Sequence, residues 1–455
     1  MPFGASRLNT LAKYFPPAAG GANIWDTVTN TDDQVSLKVR ETARNTTTSG
    51  RAGGMFSLGY SDRMYMVADT WTSGGLRQQW GINRWDIAAD GTATFAGEES
   101  INTFTSSVAE SGKEILPIID FPTTNQAVAM YNQAPTAVYY FVFGIDGSDN
   151  VTVSDKTYTN TVTGQGTFEG NILRDPDGSE TDFVRADRVG NIHFYSFDTA
   201  TSTISLTNEI NISNVDGYGA QAWMIETGGT NQICVVYYNS VSTNWEAYRV
   251  NFDGTGGTVD TLVSAATLGV SVGYGCSRHQ PDIPTNKSLY TVAGAAWSDS
   301  AGANGKNRAF GLVWDGSSSW TVGSIQEFDI PDILGLSAGM DFQTQQTKFC
   351  YGLEDGTFHI IERWRDVYDT PTDEERYAGW FYNVDASATI SIQSDTVTQL
   401  TNDPGSNFAG GNQNYPCSRL TEDGEVLCIL AGESEYTTDS VAAAYAALTT
   451  YKKPA

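Results

Sequence analysis

The sequence predicts an all-β fold, a seven-bladed β-propeller in which strands from the two ends of the chain complete one blade. Three observations support this prediction: a hairpin pattern that returns at regular intervals, short strands rich in Gly and aromatic residues, and one incomplete hairpin at each end of the chain. The chain has 455 residues. A repeat architecture can hold them in one domain, because each blade buries its faces against its neighbours.

The hairpin is clearest at Trp245 to Val263. Tyr248, Val250 and Phe252 alternate with polar residues there, which is the period of a half-buried strand. Asp253 and the glycine after it supply turn residues ahead of a second β-rich run.

This pattern occurs six times when segments are aligned on the turn aspartate. Apolar or aromatic residues stand five, three and one positions before each aspartate, and the aspartates recur at intervals of 52 to 70 residues, by subtraction of residue numbers. We expect these side chains to form core between blades. Besides the segment before Asp253, the copies are Trp85, Ile87 and Ala89 before Asp90; Phe141, Phe143 and Ile145 before Asp146; His193, Tyr195 and Phe197 before Asp198; Phe310, Leu312 and Trp314 before Asp315; and Trp380, Tyr382 and Val384 before Asp385.

A seventh copy is divided between the two ends of the chain. Tyr445 to Thr449 occupies the repeat positions, and we interpret it as a strand although its Ala content favours a helix. Near the other end, Val35, Leu37 and Val39 alternate with polar residues and supply the missing strand. Pairing these segments would leave the propeller without an open sheet edge.

The composition argues against several classes of protein. A net charge of -27, from 53 acidic and 26 basic residues, opposes nucleic-acid binding, which needs clustered Lys and Arg. No run of about 18 apolar residues is present, so no membrane insertion is expected, and the start lacks the pattern of a secretory signal. Five cysteines, an odd number, indicate reduced thiols and no disulfide framework.

Residues 1–22 differ from the acidic remainder, since they contain basic residues and no acid. Apolar residues at i, i+3 and i+7 predict one short amphipathic helix that ends at Pro16. We expect 1–22 to be a docking arm with a flexible joint and 23–455 to be the propeller; a terminal helix folded back on the propeller is the alternative. The residues expected to bind a partner are Phe3, Arg7, Leu8, Leu11, Lys13 and Phe15.

A repeated Cys-Ser-Arg tripeptide is the strongest candidate for chemistry. It occurs at 276–278 and 417–419, and Cys350 stands at a similar distance before its own turn. Thiols near the central axis would suit a metal, and Arg278 and Arg419 an anion. The alternative is small buried residues where inner strands crowd, and the lack of a CxxC or Cys/His spacing favours it.

No catalytic residue, metal site or cofactor is predicted. The chain has three histidines, and His193 takes an aromatic position of the repeat, which indicates packing. Acidic pairs such as Glu98-Glu99 and the run 373–375 meet the two-carboxylate requirement of a glycosidase only by chance among so many acids. The turn aspartates are explained by turns and do not complete a calcium loop.

Residues Phe3 to Lys13, FGASRLNTLAK, resemble the N-termini of virion structural proteins of tailed phages, notably marine ones. The resemblance implies a non-enzymatic virion component, synthesised in the host cytoplasm and present in several copies. Its arm would anchor on a capsid or tail protein, and its propeller would contact neighbouring subunits or a host surface glycan.

The alternative function is a glycan-binding or glycan-degrading propeller, either a lectin or a glycoside hydrolase. Aromatic residues in loops would then stack on sugars, whereas aromatics of the hairpin repeat are explained as core. The loop candidates are Trp71, Trp80, Trp297 and Tyr368.

Overall fold

The chain is all-β, as predicted, and belongs to the β-propeller class. No α-helix occurs among the residues that the structure, a computed structural model, describes. No helix in this part of the chain is long and apolar enough to span a membrane. The described residues are 25–30, 35–37, 48–72, 77–99, 118–121, 124–133, 137–154, 157–161, 172–174, 181–186, 190–213, 215–227, 230–239, 241, 244–251, 259–264, 278–279, 287–293, 306–315, 320–324, 326–329, 349–353, 356–365, 375–399, 417–435 and 443–454.

The strands are numbered in chain order. The first fifteen are β1 (Asp26–Asn30), β2 (Val35–Leu37), β3 (Thr48–Phe56), β4 (Arg63–Thr72), β5 (Arg77–Ile87), β6 (Ala93–Glu98), β7 (Ile118–Phe121), β8 (Gln126–Gln133), β9 (Ala137–Ile145), β10 (Val151–Val153), β11 (Thr157–Thr161), β12 (Ile172–Arg174), β13 (Asp182–Ala186), β14 (Asn191–Asp198) and β15 (Thr203–Asn211). The others are β16 (Val215–Thr227), β17 (Thr230–Asn239), β18 (Asn244–Asn251), β19 (Val259–Ser264), β20 (Arg278–His279), β21 (Lys287–Ala293), β22 (Lys306–Trp314), β23 (Trp320–Val322), β24 (Gln326–Asp329), β25 (Phe349–Gly352), β26 (Thr357–Arg365), β27 (Glu375–Val384), β28 (Ile390–Gln399), β29 (Cys417–Leu420), β30 (Val426–Glu435) and β31 (Ala443–Lys452).

The chain forms two compact units, and the first contains Trp25–Asn211 and Pro404–Ala455. Its four sheets are antiparallel meanders. Their strand orders are β3-β4-β5-β6; β7-β8-β9-β10, with β11 also paired to β9; β12-β13-β14-β15; and β29-β30-β31-β1, with β2 also paired to β31.

The two ends of the chain meet in the last of these sheets. Asp26 of β1 lies opposite Lys452 of β31, and Val35 of β2 lies opposite Ala446. The predicted pairing of the terminal strands is therefore confirmed, and β1 extends it beyond the predicted segment. The prediction of a strand in the Ala-rich stretch is also confirmed, because the ladder between β30 and β31 outweighs the helix propensity of Ala.

The core of the first unit combines aromatic residues of the repeat with apolar residues of other strands. Aromatic rings from adjacent sheets pack together: Phe56 and Phe143 stack, and Phe121 and Phe197 form a tilted pair, with 4.7 Å between the ring centroids of each pair. Trp85 is also fully buried. The prediction that the repeat aromatics are core is confirmed for Trp85, Phe143 and Phe197, whereas Ala89 at a repeat position is exposed.

The second unit contains Ile212–Asp403 and has three sheets. Trp314 and Trp380 are buried at their predicted repeat positions. The strand orders are β16-β17-β18-β19; β21-β22-β23, with β24 also paired to β22; and β20-β25-β26-β27-β28.

The predicted count of seven regular blades is corrected to five. Five sheets have a main path of four antiparallel strands, and two sheets of the second unit depart from it. The reason lies in β20, which pairs in parallel with β25 through Arg278 and His279. The sheet of β21 consequently lacks β20 as its first strand, and the sheet of β25 contains β20 as an additional strand.

The turn aspartates cap the hairpins, as predicted. Oδ1 of Asp146 accepts hydrogen bonds from the backbone N–H groups of Ser148 and Asn150, at 2.8 and 3.0 Å. Asp90, Asp198 and Asp385 accept similar bonds from the backbone of their own turns. The carboxylates act as turn acceptors, which explains their recurrence without a metal ion.

Candidate functional site

The first strands of the four sheets in the first unit contact one another in the order β29, β3, β7 and β12. In a propeller, the strands that meet in this way surround the central axis. Polar side chains on them are therefore candidates for a ligand site.

Two such residues, Asp120 of β7 and Arg419 of β29, form a cluster with Ser57, which directly follows β3; we call it the inner-strand cluster. Nη2 of Arg419 lies 2.7 Å from Oδ2 of Asp120. The same oxygen accepts hydrogen bonds from the backbone N–H of Ser57 at 2.8 Å and from its hydroxyl at 3.0 Å. Asp120 is 1% exposed and Arg419 is 6% exposed, so this is a buried ion pair that joins three sheets.

Strand alternation directs Asp120 into the cluster. Its neighbour Phe121 packs against the rings of Phe183 and Phe197 on the sheet that follows. Successive side chains of a strand point to opposite faces. Asp120 therefore faces the sheet that precedes it, where Ser57 lies.

A tight turn between β3 and β4 fixes Ser57. The N–H of Tyr60 donates to the Ser57 carbonyl at 3.1 Å, and Leu58 and Gly59 between them have φ angles of 54° and 79°. Two central residues with positive φ match the twist of a hairpin. The turn thereby holds both donors of Ser57 toward Asp120.

Of the Cys-Ser-Arg tripeptides, the second reaches this cluster. Cys417 and Cys350 lie in β29 and β25, and Cys276 lies outside the described residues. The guanidinium of Arg419 binds a carboxylate of the protein, where the sequence suggested a bound anion. No group of three His, Cys, Asp or Glu arranged to hold a metal occurs in the part of the chain that the structure describes.

A second polar group, the rim cluster of Tyr60, Arg63 and Asp149, joins two neighbouring hairpin turns. Nη1 of Arg63 lies 2.7 Å from Oδ2 of Asp149, and the Tyr60 hydroxyl donates to Oδ1 at 3.0 Å. Both hydrogen bonds lower the pKa of Asp149, and the one from Arg63 has the larger effect. Asp149 is half exposed, so the rim cluster is a surface counterpart of the inner-strand pair.

His193 and His359 are buried packing residues, and His193 also contacts a carboxylate. His193 is fully buried at its repeat position, and its Nδ1 lies 3.1 Å from Oε2 of Glu209 on the next strand. Arg185 lies opposite His193 on the other side. His359 is fully buried, and burial lowers its pKa to about 3.

The remaining predicted residues are not brought together. Glu99, from the acidic pair, forms an ion pair with Arg84, in which Oε1 of Glu99 lies 2.8 Å from Nη1 of Arg84. The side chains of Trp71 and Trp80 are outside the described residues, as are Trp297 and Tyr368. All six residues of the predicted arm also lie outside them, namely Phe3, Arg7, Leu8, Leu11, Lys13 and Phe15.

Sequence reasoning missed Ser57 and Asp120. Neither belongs to the hairpin repeat, and no motif marks them. One signal is present in the sequence: Asp120 is the charged residue within the apolar run Ile118 to Phe121. A charge within a predicted buried strand indicates a partner.

No protein-family model and no curated protein sequence matches the chain. Solved structures do resemble it. A B. megaterium levansucrase variant is 9% identical, with 85% of this chain and 95% of that chain covered and a TM-score of 0.40. The periplasmic gluconolactonase of Pseudomonas aeruginosa is 8% identical, with 90% and 100% covered and a TM-score of 0.40. A Bifidobacterium bifidum protein assigned as an exo-beta-1,3-galactanase is 12% identical, with 61% and 91% covered and a TM-score of 0.33.

All three of these proteins are enzymes by name. The expectation that the protein is not an enzyme is corrected on this finding and is withdrawn. At these identities and TM-scores, the resemblance assigns no reaction to this chain.

Proposed function

We propose that the protein binds or cleaves a glycan, with the inner-strand cluster at the ligand site. The observation that supports this proposal is the position of Asp120, a carboxylate on a first strand held by Ser57 and Arg419. Asp120 is buried, so a glycan would reach its carboxylate only by displacing the residues that cover it, while Arg419 and Ser57 hold the carboxylate in place.

Asp120 would be one of two carboxylates in a glycoside hydrolase. Such enzymes place two carboxyl groups about 5–10 Å apart, one to protonate the leaving group and one to act as base or nucleophile. Asp120 takes the role of base or nucleophile in this scheme, because Arg419 and Ser57 fix the position of its carboxylate. A lectin would use the same carboxylate for binding alone.

The ion pairs of three arginines and the net charge of the chain favour a neutral glycan. Arg63, Arg84 and Arg419 each lie within 3.0 Å of a carboxylate of the protein. The chain also carries a net charge of -27, which repels sulfated or uronic-acid polymers. A neutral polysaccharide avoids this repulsion.

The test is a panel of neutral polysaccharides, assayed for binding by affinity electrophoresis and for cleavage by release of reducing ends. Asp120→Asn should abolish binding or lower the cleavage rate by at least 100-fold, the order expected for loss of a catalytic carboxylate. Asp149→Asn is the matched control, since it removes the same charge from an exposed ion pair with arginine, and should change either signal less than twofold.

Folding of the variants is checked by thermal unfolding. If Asp120→Asn does not fold, Asp120→Glu keeps the charge and displaces the carboxylate by one methylene, and should still lose activity. Absence of binding and cleavage across the panel for the wild-type protein would overturn the proposal, as would full activity of a folded Asp120 variant.

A second candidate is a component of a virus particle anchored by residues 1–22, and it rests on the resemblance of Phe3 to Lys13 to virion structural proteins of tailed phages. Asp26 lies opposite Lys452 on the last strand of its sheet, at the edge away from β29. An arm that precedes β1 would therefore join the propeller at a blade's outer edge, clear of the inner-strand cluster. Deleting residues 1–17 should prevent incorporation into particles, and full incorporation without them would contradict this candidate.

The two irregular sheets of the second unit are modified blades in this proposal. The hairpin repeat supports this assignment, because each sheet contains one copy: the turn aspartates Asp315 and Asp385 directly follow β22 and β27. An experimental structure with both sheets arranged as blades would support a count of seven, and any other arrangement would reject it.

A further inference from the structure

A pair of tyrosines lies on the outer edge of the β7–β11 sheet, away from the inner-strand cluster. Tyr158 of β11 and Tyr139 of β9 are direct cross-strand partners. Their ring centroids are 5.6 Å apart and the rings meet at 70°, which forms an aromatic corner. Tyr158 is 50% exposed, and it is one of two large hydrophobic residues in the described part of the chain that are exposed to this degree.

An irregularity in the backbone pairing lies next to this corner. The register between β11 and β9 shifts after Tyr158, so that Thr159 is an extra residue in an edge strand. Bulges of this kind twist an edge strand and change the direction of a side chain. Val151–Val153 and Thr157–Thr161 pair with the two ends of β9, so the outer edge of the sheet is interrupted beside Tyr158.

The surroundings of the corner are polar. Thr157 is exposed next to Tyr158. Strand β15 of the adjacent sheet contacts β11 and exposes Thr203, Ser205, Thr207 and Glu209. The described surface here therefore combines one aromatic corner with hydroxyl groups and the Glu209 carboxylate, and carries no aliphatic patch.

We propose that the Tyr139–Tyr158 corner is a second glycan-binding site, which holds the C–H face of a neutral pyranose ring. A tyrosine supplies a large, rigid contact area at a low entropic cost, and the negative face of its ring attracts the polarised C–H groups of a sugar. Neighbouring hydroxyl groups match the hydrogen-bonding edge of the sugar. A protein partner would need about 800 Å² on this side with an apolar centre, which two rings among threonines do not provide.

This inference rests on the proposed function, because it takes the same class of ligand. It adds a site where the polymer is held while another part of it reaches the inner strands. Two weak contacts on one polymer raise its apparent affinity through effective concentration. We therefore expect the corner to affect long glycans more than short ones.

The experiment is affinity electrophoresis of the full chain in gels that contain a neutral polysaccharide, with laminarin, dextran and a linear galactan as probes. Tyr158→Ala should weaken retardation by the polysaccharide that binds the wild-type protein at least fivefold. Tyr158→Phe should keep it within twofold, because stacking needs the ring and not the hydroxyl. Val241→Ala, at an exposed apolar residue elsewhere, is the control and should have no effect.

The outcomes separate this inference from the proposed function. Normal retardation of Tyr158→Ala, together with loss of activity in Asp120→Asn, would overturn the corner and leave the proposed function in place. Equal losses in Tyr158→Ala and Tyr158→Phe would also overturn stacking. A fivefold loss in Tyr158→Ala with cleavage of a short oligosaccharide unchanged would support the corner. Lack of any retardation of the wild-type protein would overturn both.

Discussion

Nη2 of Arg419 lies 2.7 Å from Oδ2 of Asp120, although their strands, β29 and β7, lie far apart in the chain. Both side chains are buried, and the pair joins the sheet that carries the C-terminal strand to the second sheet along the chain. The contact therefore links the sheet in which the two ends of the chain pair to the candidate ligand site.

The first prediction concerns this ion pair. Arg419→Met should lower the free energy of unfolding by about 3–5 kcal/mol, because it leaves the Asp120 carboxylate buried without its counter-charge. Adding Asp120→Asn should recover part of that loss, with a coupling of about 1–3 kcal/mol. Urea unfolding followed by tryptophan fluorescence measures both values.

The control is the same substitution in the rim cluster. Arg63→Met breaks an ion pair with Asp149 of the same length, but at the surface. Its cost should be about 0–1 kcal/mol, since solvent screens exposed pairs. Equal costs for the two variants would contradict the burial of the inner pair.

The second prediction concerns Gly323, which packs against the turn at Ala388. A Cβ atom at Gly323 would overlap the Ala388 carbonyl oxygen, and that oxygen belongs to backbone that cannot move aside alone. Gly323→Ala should therefore lower the free energy of unfolding by about 1–3 kcal/mol or more, as overpacking does. Chemical denaturation measures the loss.

Gly147→Ala is the matched control, because nothing lies within 4 Å of a Cβ at that position. We expect a change of no more than about 0.5 kcal/mol. No change in the free energy of unfolding for Gly323→Ala would show that the sheets of β22 and β27 do not pack at this point.

The third prediction concerns the terminal strands. Deleting residues 1–22 should preserve the pairing of β1 with β31, because β1 begins at Asp26. Deleting residues 1–30 should lower the melting temperature and promote aggregation, since it exposes the edge of β31 from Thr449 to Lys452. Differential scanning fluorimetry and size-exclusion chromatography distinguish the two deletions, and identical behaviour would refute the role of β1.

The fourth prediction concerns pH. Burial lowers the pKa of His359 from 6.5 to about 3, so its neutral form stabilises the folded state fully above pH 6.5. This stabilisation is lost as the pH falls from 6.5 toward 3, by up to about 1.4 kcal/mol per pH unit for one proton.

His359→Gln removes that titration. The difference in unfolding free energy between wild-type protein and variant should therefore shrink steadily between pH 6.5 and pH 4. Urea unfolding at four pH values measures the slope, and a constant difference would show that His359 takes up its proton equally in both states.

Local pattern predicted much of the architecture. Alternation at positions such as Tyr382 and Val384, followed by a turn aspartate, identified hairpins, because strand period and turn chemistry are properties of neighbouring residues. The pairing of Val35 to Leu37 with the C-terminal strand was also predictable, since a closed propeller needs a partner for its last strand.

Positions of strands outside the repeat were not predictable in the same way. Residues 278–279 belong by sequence order to the sheet of β21, yet they pair in parallel with Phe349 and Cys350. Both partners offer equivalent backbone hydrogen bonds, so only packing of the whole unit selects between them. This choice reduced the regular blades from seven to five.

The sequence by itself determined the all-β class, the hairpin repeat and its buried aromatics, because each depends on short-range periodicity, and it indicated the joining of the two ends, because the last strand needed a partner. Only the tertiary structure decided that Ser57, Asp120 and Arg419 meet, and that Tyr139 and Tyr158 form a corner. Contacts between distant strands depend on register and on the direction of each side chain, and a shift of one residue would turn every one of these groups to the opposite face.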